Sequence, residues 1–245
     1  MSRVAIVVAL EREVRPLVKE WGASAKEVDG RRFRFFEKDE LVLVCGGIGA
    51  EAARRAAEAV IAIFAPKIVY SAGFAGALDP GLKVGDIVQP RRVVDAGDGS
   101  SADLHRGKPD CADGVLVSFG AVANPAQKAK LRESYAAKAV DMEAAAVARA
   151  AEARGVEFAV VKVISDEFDF RFPSMERFVD PNGRFLETRF AWFAAVRPWL
   201  WPQVWRLGRN SNRASRSLCD WLRKMDAVSS ASPCGIQDTE EVNRR

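Results

Sequence analysis

The sequence is short of the residues on which metal and nucleophile chemistry often depend. It has one histidine, His105, and four cysteines, none of which forms a CxxC pair. We therefore expect no metal site, no disulfide framework and no cofactor-linked metal chemistry. Ser-His or Cys-His catalysis would depend on His105 alone, which lies in the polar stretch 97–114, predicted to be a loop. Acid–base chemistry would then fall to carboxylates.

Long apolar runs are also missing. No stretch approaches the roughly 20 apolar residues that a membrane helix needs. The first run ends at Glu11, Arg12 and Glu13, which is unlike a signal peptide, so we expect a cytoplasmic protein. With 245 residues, 49% hydrophobic and 29% charged, the chain can bury a full core, which excludes global disorder and a fibrous protein.

Strand and helix patterns alternate along the chain, which predicts an α/β sandwich with a parallel or mixed sheet. A glycine-rich turn is predicted at 72–76. The predicted strands are 4–10, 32–37, 41–45, 68–71, 84–88, 91–94, 115–122 and 158–164, and the predicted helices are 13–21, 50–64, 125–135 and 141–154.

The C-terminal part has a different composition. Residues 187–225 have a helical pattern that Pro198 and Pro202 interrupt. We therefore predict a catalytic domain over 1–190, a basic, tryptophan-rich helical segment over 191–225 and a disordered tail over 226–245.

The tryptophan-rich segment suggests a surface function. From 197 to 224 it has seven basic residues against one acid, Asp220, and Trp199, Trp201 and Trp205 precede a series of arginines. Tryptophan with arginine on a helix is typical of an interfacial membrane helix. The alternative is that the tryptophans pack on the domain or on a dimer partner. No nucleic-acid recognition motif is present, so we expect no nucleic-acid partner.

Residues 47–52 fit the pattern G-x-G-x-x-A, which is typical of dinucleotide-binding turns. That pattern also needs an acid about 20 residues later. Residues 67–73 contain none, so we expect neither a nicotinamide nor a flavin. The glycines could expose backbone N–H groups to an anion or hydroxyl, or could allow close packing of helix on strand.

Three acids stand next to apolar strands or on an apolar helix: Glu13, Glu143 and Asp166. Ligands of open α/β sheets bind beyond the carboxyl ends of strands. An acid buried without a partner is costly, so its pKa rises or it finds a partner. The alternative is that each acid faces solvent or caps a helix, as Asp166 could cap a following one.

Five motifs occur in one order along residues 3–170. They are VALEREV at 8–14, GGIG at 46–49, SAGFAGAL with LKVGDIV at 71–88, VDMEA at 140–144 and VISD at 163–166. With them the chain resembles the purine nucleoside phosphorylase and nucleosidase superfamily, and within it the methylthioadenosine/S-adenosylhomocysteine nucleosidases. The resemblance implies a three-layer α/β/α sandwich of the nucleoside phosphorylase type with a C-terminal helical appendage, a homodimer, and cofactor-free cleavage of a purine N-glycosidic bond.

The resemblance also implies roles for individual residues. Asp166 matches the acid that protonates the purine N7, and an apolar setting would keep it protonated near neutral pH. Glu13 matches the carboxylate that positions the attacking water, and Glu143 the one that binds the ribose hydroxyls. The other substrate-binding residues expected are Met142, Gly49, Phe74, Ala75, Val122 and Ser165.

Water is the expected nucleophile. Phosphorylases of this superfamily resemble one another in an arginine that binds phosphate, three residues before a serine in the glycine-rich segment. Ser71 and Phe74 stand at those places here, so the bidentate contact would be lost. A phosphate-dependent phosphorylase and a non-catalytic, membrane-associated nucleoside-binding protein remain the alternatives.

Two features differ from a plain methylthioadenosine nucleosidase. Residues 122–124 lack the aromatic ring that stacks on adenine in those enzymes. Residues 123–128, 178–184 and 198–218 look more like the hopanoid-associated branch, which is thought to remove adenine from a lipid-linked adenosine. The predicted substrate is therefore an adenine nucleoside whose 5′ group is methylthio, homocysteinyl or lipidic.

Overall fold

A computed structural model describes residues 3–104, 114–171, 178–180, 183 and 185–230. His105 and residues 231–245 of the predicted tail lie outside them. The described strands are β1 Val4–Val8, β2 Gly22–Val28, β3 Arg31–Lys38, β4 Leu41–Cys45, β5 Ile68–Ala77, β6 Ile87–Val88, β7 Arg92–Asp95, β8 Ser101–Asp103, β9 Val115–Ser118, β10 Ala137–Asp141 and β11 Glu157–Asp166. The helices are α1 Glu11–Val18, α2 Ala50–Phe64, α3 Pro125–Tyr135, α4 Ala144–Glu152, α5 Glu187–Ala195 and α6 Trp201–Ser230, with a 3₁₀ turn at Pro198–Leu200.

Strand β5 is the centre of one mixed sheet. It pairs in parallel with β1 and β11 and antiparallel with β10. The outer strands continue from β1 through β4 and β3 to β2, and from β10 through β9 and β7 to β8. Strands β1, β10 and β11 all border β5. The residues that follow β1 and β10 lie close to the last residues of β11.

Alternation along β1 builds a core on each face of the sheet. Ala5 and Val7 pack against α2 and α4, whereas Ile6 and Val8 pack against α1 and α6. Opposite faces of a strand carry alternate residues, so one apolar strand supports two helical layers. The predicted three-layer α/β/α sandwich is confirmed.

The second half of α6 belongs to the sandwich. Ala214, Leu218 and Leu222 are buried in the core that α1 also lines. Pro202 does not break the helix, because it lies in the first turn, where a missing N–H leaves no bond unmade. The 3₁₀ turn at Pro198 does separate α5 from α6. Helix α6 continues to Ser230, so the tail predicted from residue 226 begins no earlier than 231.

Two segments differ from the prediction in a way that builds the site. Residues 72–76 are part of β5 and not a turn. Their glycines leave space for side chains that lie against a continuous strand. The helix predicted at 141–154 begins only at Ala144 and ends at Glu152, and residues 137–141 before it form strand β10, which was not predicted. The alanines of this segment favour a helix, so the boundary between strand and helix leaves no sign in the sequence. Strand β2 was missed because its residues are mostly exposed and none of them is buried.

Candidate active site

A cavity of about 160 Å³ opens at the carboxyl ends of β1, β10 and β11. The structure brings the three predicted acids, Glu13, Glu143 and Asp166, into it. The predicted contacts Met142, Phe74, Ala75, Val122 and Ser165 also line this cavity. The predicted contact Gly49 has a different role, since its backbone N–H donates to Glu143.

Glu13 reaches the cavity from the first turn of α1. It is buried, and its Oε2 atom has no hydrogen-bond partner among the described residues. Burial, and then repulsion by Glu143, raises the pKa of Glu13 to about 8, although Lys162 and Arg12 oppose the change. A carboxylate of this kind can accept a proton near neutral pH.

Glu143 lies between β10 and α4 and is held by backbone donors. Its Oε1 atom accepts the N–H of Gly49 at 2.9 Å, and its Oε2 atom accepts the N–H of Met142 at 3.2 Å. Burial raises the pKa of Glu143, while the charge of Lys162 opposes this. The glycine turn before α2 therefore does expose an N–H to an anion, and the anion is this protein's own carboxylate.

Asp166 is the last residue of β11 and does not cap a helix. Its Oδ2 atom lies 2.5 Å from the Nζ atom of Lys128, and its Oδ1 atom accepts the hydroxyl of Ser165 at 2.7 Å. The expectation of an apolar setting is therefore wrong. A buried lysine, and not an apolar side chain, contacts the Oδ2 atom of Asp166.

A second buried ion pair was also missed from the sequence. The Nζ atom of Lys162 on β11 lies 2.8 Å from Oδ2 of Asp141, and Asp141 also accepts from the hydroxyl of Ser118 and the N–H of Ala144. Burial would lower the pKa of Lys162, but Asp141 and Glu143 raise it overall. This lysine stays a cation beside Glu13 and Glu143.

The signals for the two lysines differ in strength. Lys162 is the one charge in the apolar run from 158 to 164, which marks a buried group with a partner. Lys128 follows the capping box that Asn124 and Gln127 form at the start of α3. The helix buries Lys128 and Leu131, one turn apart, but the sequence alone gives no reason to prefer this lysine to exposed Lys130.

The three acids all fall within a match to a known family. The model of the phosphorylase superfamily matches residues 3–118 and 103–180 of this chain. The chain belongs to the phosphorylase superfamily. Both buried lysines fall within the matched part as well.

Named members of the superfamily are similar to this chain over most of their length. An aminodeoxyfutalosine nucleosidase of Campylobacter jejuni is 25% identical over 207 residues, which cover 69% of this chain and 90% of that protein. A methylthioadenosine/S-adenosylhomocysteine nucleosidase of Colwellia psychrerythraea, solved with adenine, is 26% identical with a TM-score of 0.59, over 69% of this chain and 84% of that one. The fold extends further in the methylthioadenosine nucleosidase of Arabidopsis thaliana, with a TM-score of 0.72 at 19% identity over 95% of this chain and 98% of that one.

Proposed function

We propose that this protein hydrolyses the N-glycosidic bond of an adenine nucleoside that carries a modified 5′ group, and so releases adenine. One observation carries the proposal: Glu13, Glu143 and Asp166, far apart in the sequence, line a single cavity. The similar proteins are nucleosidases, that is, N-ribosyl hydrolases, so the chain is an enzyme of this class.

Each acid has a part in the proposed reaction. The sugar becomes positively charged as the bond to the base breaks, and nearby carboxylates stabilise that charge. Glu143, held by the N–H groups of Gly49 and Met142, would bind the ribose hydroxyls. Glu13 would orient the attacking water and take its proton, and Asp166 would deliver a proton to N7 of the base.

The charges around the cavity favour water over phosphate as the nucleophile. Both lysines of the cavity are already in ion pairs, Lys128 with Asp166 and Lys162 with Asp141. Arg12 lies at the rim, exposed, with its guanidinium 5.1 Å from the ring centre of Phe185. A bound phosphate would lack the forked contact that an unengaged arginine supplies.

Release of free base tests the proposal. The protein is incubated with methylthioadenosine, S-adenosylhomocysteine, inosine and a lipid-linked adenosine, with and without phosphate, and free base is measured. We expect adenine without added phosphate, and loss of activity in Asp166→Asn with the fold intact by circular dichroism. Dependence of base release on phosphate would indicate a phosphorylase. Tight adenosine binding without release of adenine would indicate a non-catalytic binding protein.

The tryptophan-rich segment supports a contact with an anionic membrane surface. Trp192, Trp199, Trp201 and Trp205 are 75%, 70%, 56% and 67% exposed. Trp201 and Trp205 are four residues apart, on one face of α6. Neighbouring arginines supply the charge that anionic lipid head groups attract. Of the described helices, none is long and apolar enough to cross a bilayer.

The residues just before this segment contact the cavity, which bears on the 5′ group. The carbonyl of Gly183 accepts the N–H of Ile48, a cavity residue, at 2.7 Å. Phe185 lies between Arg12 at the rim and Phe190 on α5, at 5.5 Å from the latter ring. A substrate whose 5′ group is lipidic would therefore approach the acids from the membrane side of the protein.

Vesicle sedimentation tests the contact with the full-length chain, because removing α6 would remove part of the core. The variant Trp199→Ser/Trp205→Ser should lose binding to anionic vesicles, whereas wild type should bind them more strongly than zwitterionic ones. Equal binding by both proteins would refute the contact. A halved mass of the variant in ultracentrifugation would instead assign the tryptophans to the interface of the proposed homodimer.

A further inference from the structure

Lys128 and Asp166 form a buried ion pair at one end of the cavity. Their side chains are 1% and 6% exposed, and Nζ lies 2.5 Å from Oδ2. The same Nζ donates to the carbonyl of Glu167 at 2.7 Å, and the hydroxyl of Ser165 donates to Oδ1 at 2.7 Å. Both oxygens of Asp166 therefore accept a hydrogen bond.

This pattern identifies the proton donor of the pair. The hydroxyl of Ser165 has a second acceptor within reach, the carbonyl of Ala75 at 3.4 Å, whereas Nζ of Lys128 donates to both Oδ2 of Asp166 and the carbonyl of Glu167. The ionised carboxylate satisfies both donors, and an ammonium group has a proton for each of its two acceptors. The proton donor in contact with Oδ2 of Asp166 is therefore Nζ of Lys128.

The other charged groups of the cavity are arranged around a different glycine. A Cβ atom on Gly73 would lie 2.7 Å from Glu13 and 3.9 Å from the Nζ atom of Lys162, whereas one on Gly76 would lie 2.8 Å from Asp166 and 3.3 Å from Nζ of Lys128. Asp141 and Glu143 belong with Lys162, which pairs with the former and shifts the pKa of the latter. Among the described residues, Lys128 is therefore the cation in contact with Asp166.

Resting on the proposed function, we propose that Lys128 is the source of the proton for the leaving base and that Asp166 passes it on. As the C1′–N9 bond breaks, its electron pair stays on the purine. A proton leaves Nζ of Lys128 for Asp166, and Asp166 gives a proton to N7. The water oxygen bonds to C1′ and its proton goes to Glu13. Lys128 ends as a neutral amine and Glu13 as a neutral acid, and proton exchange with solvent restores both.

Arginine separates this role from simple electrostatic support. Lys128→Arg keeps the positive charge beside Asp166, but a guanidinium does not give up its proton in a protein. Lys128→Met removes the charge and keeps the length of the side chain. If Lys128 supplies the proton, neither variant supports departure of a base that must be protonated.

Two substrates with different leaving groups test the role. One is the adenine nucleoside that the wild type cleaves fastest, and the other is 4-nitrophenyl riboside, whose leaving group departs without a proton. On the nucleoside, both variants should lose roughly 10²–10⁴-fold in kcat with a smaller change in KM. On the nitrophenyl riboside they should stay close to wild type. Lys130→Met, two residues along α3 and exposed, should match wild type on both.

Three results would overturn the inference. Full activity of Lys128→Arg on the nucleoside would show that charge alone is needed. Equal losses on both substrates would show a structural role. Since Lys128→Met leaves a buried charge unpaired, which destabilises the fold, Lys128→Met/Asp166→Asn is measured beside it. Nucleoside turnover by this folded double variant would also refute the relay. If the wild type releases no base at all, the proposed function fails first, and the relay with it.

Discussion

The Oε2 atom of Glu13 lies 2.7 Å from the position that a Cβ atom would occupy on Gly73. Gly73 also has a φ of 142°, in a region that other residues rarely adopt. The buried carboxylate thus occupies space that the strand leaves by having no side chain. The same holds at the other end of the cavity for Asp166 and Gly76.

Gly73→Ala should displace Glu13 and so remove activity more than it removes stability. Small misplacements of a reacting group can cost about 10²-fold in rate, and the strained backbone should cost about 1–3 kcal/mol. The measurements are kcat for adenine release and urea unfolding. The control is Gly208→Ala, at a helical position with nothing within 4 Å, which should keep full activity. Wild-type kcat in Gly73→Ala would show that Glu13 does not need this space.

The rate of adenine release should rise with pH. Glu13 accepts a proton only when it is ionised, and burial raises its pKa to about 8. Below that value the ionised fraction, and with it kcat/KM, should fall about tenfold for each pH unit. The pH profile of kcat/KM checks this, with exposed Lys130→Met as a control that should follow wild type. A profile that stays level from neutral pH to above 8 would contradict Glu13 as the base.

Glu13→Gln should make the stability of the protein depend less on pH. In the folded protein the pKa of Glu13 lies above its ordinary value of 4.5, so the folded state holds a proton that the unfolded state has lost. Wild-type stability therefore falls as pH rises from 4.5 to about 8. The variant has no carboxyl group at this position, so its stability should not fall in this way. Its free energy of unfolding should therefore rise relative to wild type by up to about 1.4 kcal/mol per pH unit. Urea unfolding at several pH values measures the difference, and a difference that shrinks as pH rises would refute the assignment.

Helix α6 should be needed for folding. Leu218 is fully buried between α6 and the sheet, so Leu218→Ala should cost about 2–5 kcal/mol of unfolding free energy. Arg216→Ala, on the exposed side of the same helix, should stay within about 0.5 kcal/mol of wild type. Equal stability of the two variants would mean that α6 is dispensable.

Sequence patterns predicted the helices that have clear boundaries. Helices α2 and α3 begin and end where predicted, since Gly49 precedes the first and Asn124 with Pro125 starts the second. Strand β10 was missed because Asp141 is followed by Met142, Glu143 and a run of alanines, all of which favour a helix. Local propensity cannot reveal that residues 137–141 pair with a neighbouring strand of the sheet.

The acids were predicted through motifs, but the lysines that bind two carboxylates of the site were not. Lys128 and Asp166 are 38 residues apart, and Lys162 and Asp141 are 21 apart. Each pair joins two different elements, so it depends on the tertiary structure. For the same reason the sequence predicted an apolar setting for Asp166, where the fold supplies a cation.

The central strand has a consequence for how this enzyme could diversify. Strand β5 borders β1, β10 and β11, so the three acids proposed to act on the bond are positioned by the centre of the sheet. Of the described residues from 183 to 205, Gly183 and Phe185 contact the rim of the cavity, through Ile48 and Arg12. Exchange of that outer region could retarget the enzyme to another nucleoside tail while the cleavage chemistry is left intact.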